Sequence, residues 1–101
     1  MKVSYKLTDG TKIVLKVLTT DEVTHYMSAV SNPAKAVETM AKLMLVSVGG
    51  VQVTADNRDE VWSKLAPKDV ALIIEAFNKW HFPTQEERTD FFASEQIEVE
   101  T

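Results

Sequence analysis

The first eighteen residues of the chain alternate in polarity. Val3, Tyr5 and Leu7 interleave with Lys2, Ser4 and Lys6, and Ile13, Leu15 and Val17 interleave with Lys12, Val14 and Lys16. Asp9-Gly10 stands between the two runs. A period of two on either side of such a dipeptide specifies a β-hairpin with one apolar face and one lysine face. A two-residue Asp9-Gly10 loop would set Leu7 against Lys12 and Val3 against Lys16, mixing the faces. A three-residue loop, Thr8-Asp9-Gly10, sets Tyr5 against Ile13 and Val3 against Leu15. It also puts Gly10 where a type I turn with a G1 bulge needs positive φ. A one-residue slip turns every side chain to the wrong face, so the three-residue loop is expected. This register opposes Lys6 to Lys12 and Lys2 to Lys16, which is destabilising for like charges. The lysines either splay into water or meet an anion or an acidic segment.

With 101 residues, 45% hydrophobic and 26% charged, the chain reads as one globular domain with a modest core. Cysteine is absent, so disulfides and thiolate-bound metals are excluded. No apolar segment follows Met1-Lys2 as in a signal peptide, and no apolar run approaches membrane-spanning length. The absence of cysteine fits a reducing cytoplasm, and no membrane partner is expected. The net charge of −4 argues against nucleic acid. Its distribution is uneven. Residues 83–101 hold Glu86, Glu87, Asp90, Glu95, Glu98 and Glu100 against Arg88 alone, a net of −5, so residues 1–82 carry +1.

Beyond the hairpin the pattern turns helical. Thr19 and Glu22 have capping-box spacing, and Val23, Tyr26, Met27 and Val30 follow at helical intervals, predicting a helix over 20–31. Asn32-Pro33 breaks it and opens a second helix. Val37, Met40, Ala41, Met44, Leu45 and Val48, widened by Leu43 and Val46, make that helix the expected centre of the core, ended by Gly49-Gly50. Val51-Gln52-Val53 is either a short strand or a loop. Asp56 or Asn57 can cap a third helix with Val61, Trp62 and Leu65. Pro67 opens a fourth, with Asp69 in its first turn and a stripe of Val70, Ile73, Ile74, Phe77 and Trp80. Thr84 and Glu87 form a second capping box, leading a short helix towards Phe91 and Phe92. Residues 96–100 alternate again, Ile97 and Val99 against Glu98 and Glu100. They are either a strand beside the hairpin, from the same chain or a neighbouring subunit, or a frayed acidic terminus. The expected class is α+β: an N-terminal β-hairpin, which a C-terminal strand can join, packed on a small bundle of four to five helices. The expected division of the single domain, 1–101, is hairpin 1–18, helical core 19–82, and short helix with acidic tail 83–101.

Little in the chain suggests covalent chemistry. Glu22 and His25 form one Glu-x-x-His, but helical di-metal sites need that motif twice, with two further carboxylates. His81 closes a helix, where a protonated ring suits the dipole. No nucleophile motif is present, and Gly49-Gly50 lacks the rest of a phosphate loop. No catalytic residue, cofactor or metal site is therefore expected. The candidate functional residues are protein-binding ones: Leu43, Val46, Trp62, Trp80 and Phe91 from the breadth of the apolar stripes, and Ile97 and Val99 from the terminal alternation.

The order of parts resembles a known family. A hairpin, L-T-D-G-T-K-I-V-L-K, runs into a capped helix, L-T-T-D-E-V. A long apolar segment ends L-V-S-V-G-G-V, and a short helix precedes L-A-P-K-D-V-A-L-I-I-E-A-F. Across residues 5–80, with the L-x-x-x-D-x-x-x-I element at Leu65, Asp69 and Ile73, this is similar to the tail assembly chaperones of tailed bacteriophages. The resemblance implies a non-enzymatic, homo-oligomeric protein of the host cytoplasm. Its implied partner is the tail tape-measure protein, coated until the tail tube encloses it, with the tail tube protein a second candidate. It carries no active-site residues. Two other classes compete: a small phage or bacterial regulatory or inhibitory module acting through its acidic C-terminal segment, and a metal-dependent enzyme fragment using Glu22 and His25.

Overall fold

A computed structural model describes residues 1–29 and 31–99, with side chains through Ala93. The chain is α+β. The alternating start forms strands β1 (Lys2–Lys6) and β2 (Lys12–Lys16). They pair antiparallel with Tyr5 opposite Ile13, Val3 opposite Leu15, Lys6 opposite Lys12 and Lys2 opposite Lys16. The loop is the three-residue one, with Gly10 at φ +89°. Asp9 accepts the Thr11 backbone N–H at 2.9 Å, which holds its carboxyl below the usual range and fixes the turn.

Helices α1 (Thr20–Ala29) and α2 (Pro33–Leu43) follow. The first capping box is made: the Thr19 N–H donates to Glu22 Oε1 at 3.0 Å, and the Glu22 N–H donates to Thr19 Oγ1 at 3.2 Å. Val23 and Tyr26 pack against the core, whereas Met27, expected on the same face, is 46% exposed; Val30 lies outside the described residues. Asn32 caps α2 through its side chain, accepting the Ala34 N–H at 3.0 Å, with Pro33 in the first turn. The expectation that this helix is central holds. It packs on α1 and on the two helices that follow in the chain, α3 (Arg58–Ser63) and α4 (Pro67–His81), and its Met40 and Ala41 are wholly buried.

The helix is shorter than its apolar spacing implied. It stops at Leu43, and residues expected in its last turns form strand β3 (Leu45–Val48). Gly49 and Gly50 do not cap a helix. With φ of +58° and +83° they make a two-residue hairpin turn of type I′ into β4 (Val51–Gln52). Val46, Val48 and Val51 are β-branched, and a two-glycine loop between such runs favours a hairpin over a helix. The sheet order is β1-β2-β3-β4, with a bulge where β3 meets Val14 and Leu15. The stretch expected to be a helical core, 19–82, thus supplies half of the sheet: β3 in place of the last turns of the second helix, and β4 where a short strand or a loop was expected.

Of the two readings of the terminal residues, strand or frayed end, the strand does not form among the described residues. Helix α5 (Gln85–Val99) runs through Ile97 and Val99. Its capping box is made, the Thr84 N–H donating to Glu87 Oε1 at 2.9 Å and the Glu87 N–H to Thr84 Oγ1 at 3.2 Å. No glycine or proline follows to stop it. β3 pairs with β2, and β1 remains the open edge of the hairpin. Glu100 lies outside the described residues.

One core joins sheet and helices: Ile13 and Leu15 from β2, Met40 and Met44 around the end of α2, Leu45 from β3, Trp62 from α3, and Ile73 and Phe77 from α4. Burial at this scale, about 25 cal/mol per Å² of apolar surface, is the principal force holding helix α4 to the hairpin. Polar contacts fasten it at both ends. Near its start the buried Asp69 accepts the Thr8 N–H at 3.1 Å and the Thr8 hydroxyl at 3.2 Å. At its last residue His81 Nε2 accepts the Leu18 N–H at 2.9 Å, while Nδ1 donates to the Phe77 carbonyl at 2.8 Å.

Candidate functional site

The two fastenings hold α4 alongside β1, and a shallow groove of about 280 Å³ runs between them. Tyr5 and Trp80 stack across it, ring centres 5.8 Å apart and planes 23° from parallel. Leu7, Leu72 and Ala76 add to an apolar lining whose floor is the core residues Ile13, Leu15 and Ile73, and Lys6, Asp69, Glu75 and Lys79 are its charged members. Tyr5 is 46% exposed and Leu72 52%. Because β1 is an edge strand, its outer backbone groups have no partner strand in this sheet. The groove therefore offers apolar contact and unpaired main-chain groups side by side, the combination that peptide-binding edges use.

The other face of the hairpin is polar. Lys2, Ser4, Lys6 and Lys12 are exposed there, and Val14 and Lys16 are half-buried. Lys16 lies 3.9 Å from Glu22. The α5 helix is a third accessible surface. Every residue from Phe82 to Ala93 is exposed, with Phe91 at 65% and Phe92 at 55%, their rings edge to face at 5.4 Å.

The residues singled out from sequence do not converge. Trp80 lines the groove. Trp62 is 7% exposed in the core and presents no docking surface. Leu43 and Val46 are half-buried, Leu43 at the end of α2 and Val46 at the β3 bulge. Phe91 is exposed on α5, and Ile97 and Val99 sit in the same helix rather than in a strand. Tyr5 and Leu72 were missed as groove residues. Tyr5 pointed to the apolar face by alternation, but nothing local shows that α4 leaves it half open. The Asp69–Thr8 bond joins residues 61 apart in sequence and has no local signal either.

Glu22 and His25 do not form a metal site. The Glu22 carboxylate is turned to Thr19, whose backbone N–H is the main cause of its lowered pKa; Thr19's hydroxyl and the Lys16 ammonium add to it. His25 lies edge-on to Tyr26, ring centres 5.0 Å apart. Among the described residues no three His, Asp or Glu side chains gather as metal ligands. Nor is any described helix long and apolar enough to cross a membrane. No protein-family model, curated protein or solved structure matches the chain.

Proposed function

We propose that this chain is a non-enzymatic tail assembly chaperone that binds the tape-measure protein of a phage tail in the host cytoplasm and acts as a homo-oligomer. The observation that carries this reading is the apolar groove between β1 and α4, open along an edge strand and flanked by Tyr5, Leu72 and Trp80. A tape-measure helix carries apolar stripes that aggregate when unshielded. A groove of this kind takes an amphipathic helix by its apolar face. The order of hairpin and capped helix is part of the sequence pattern on which the family resemblance rests.

The test is co-expression with a tape-measure segment encoded beside this gene. Soluble recovery of that segment should rise with the unmodified chain and fall back with Leu72→Glu or Trp80→Ala. Equal recovery with and without the chain would refute the proposal. The coding DNA gives a second check: a slippery run near the stop codon, followed by a long helical reading frame, accords with the family.

The exposed acidic α5 favours one other reading, a regulatory or inhibitory module that engages a basic host protein through this helix. A monomer that binds such a protein through residues 85–99, and leaves tape-measure recovery unchanged, would establish that alternative.

A further inference from the structure

The lysine face of the hairpin and helix α5 are complementary in charge and in spacing. Lys2 opposite Lys16 and Lys6 opposite Lys12 make two like-charged pairs, with Ser4 opposite Val14 between them. Four residues along a strand separate the pairs by about 13 Å. Among the described residues, Lys16 with Glu22 is the one ion pair this face makes.

Helix α5 presents the opposite pattern. At 100° per residue, Glu87, Phe91 and positions 95 and 98 share one side, and Glu87 and Glu95 are about 12 Å apart along the axis. With the helix axis along the strands, positions 87 and 95 would stand over the two lysine pairs, and the exposed Phe91 over Ser4 and Val14. The chain's own α5 does not lie there, since its residues through Ala93 are exposed. Phe82–Thr84, the link from α4, spans at most about 11 Å, and α4 packs on the opposite side of the sheet.

We infer that α5 of one copy docks on the lysine face of a second copy. This deepens the self-association in the proposed function and rests on that part of it alone. The arrangement relieves the opposed lysines and covers Phe91, and it leaves the β1–α4 groove open in each copy.

The experiment is mass by light scattering over a concentration series, with folding checked by circular dichroism. Two variants are needed: Lys2→Glu with Lys6→Glu and Lys12→Glu, and Glu87→Gln with Glu95→Lys and Glu98→Lys. Glutamine at position 87 keeps the capping box. The unmodified chain should associate, and each variant alone should associate at least about tenfold more weakly. An equimolar mixture of the two variants should regain association. Monomer mass for the unmodified chain throughout, association unaltered in the variants, or no recovery in the mixture would overturn the inference. Salt supplies a reading without any variant. Association should weaken between about 50 mM and about 500 mM salt, and indifference to salt would also overturn it. A chain that associates in this way but leaves the tape-measure segment in aggregates would refute tape-measure binding and leave this inference standing.

Discussion

Asp69 is the one buried carboxylate among the described residues, at 3% exposure, and both its oxygens accept from Thr8. Its removal takes away a charged acceptor that two Thr8 donors share and leaves a void at a buried position. Asp69→Ala should therefore cost about 1–3 kcal/mol, and Asp69→Asn, which keeps one acceptor, less; urea unfolding measures both. The capping carboxylates make a second prediction. Glu22 and Glu87 are held below the ordinary glutamate range, chiefly by the backbone N–H groups of Thr19 and Thr84, and Asp9 is lowered by the N–H of Thr11. A carboxyl whose folded pKa is depressed contributes stability above its unfolded pKa and loses it as pH falls through the folded one. The melting midpoint should therefore drop as pH falls from about 5 to about 3. Thr19→Ala, which removes the hydroxyl bound to Glu22, should lower stability by about 0.5–2 kcal/mol at neutral pH, and by less in acid.

Elements were legible where local chemistry and long-range packing agree. The first hairpin could be read to its register because alternation and Gly10 point the same way, and both capping boxes were readable because their partners lie three residues apart. The second hairpin was not. Val37, Met40, Ala41, Met44, Leu45 and Val48 fit a helical period, and a short apolar run has no unique period of its own. The deciding signal was the glycine pair, where two positive φ values require a turn that a helix end does not. The terminal strand, one of two readings left open, gives way for the converse reason: two alternating apolar residues cannot outweigh a capped helix without a breaker. The groove was only half legible. Trp80 stood out by its spacing, but Tyr5 and Leu72 become its neighbours only when α4 is strapped to the hairpin. A prediction follows from the turn. A β-carbon added at Gly50 would meet open space, so Gly50→Ala tests backbone conformation alone and should cost about 1–2 kcal/mol by thermal unfolding. At Gly49 a β-carbon would also meet Thr11 Cγ2 at 3.2 Å, so Gly49→Ala should cost more.

At the scale of the whole molecule the chain divides unevenly. The sheet and α1–α4 share one core, and α5 contributes none of its described residues. Ending the chain after Phe82 should leave the melting midpoint in dilute solution within about 2 °C of the full chain, while abolishing concentration-dependent association. The two tryptophans follow the same division between interior and surface. Trp62 lies in the interior, and Trp80 is stacked on Tyr5 at the rim of the groove. Each indole thus reads a different event. Emission from a Trp80→Phe chain would follow unfolding through Trp62, and emission from a Trp62→Phe chain would shift when a peptide enters beside Tyr5, so the molecule carries a built-in optical probe for folding and another for occupancy.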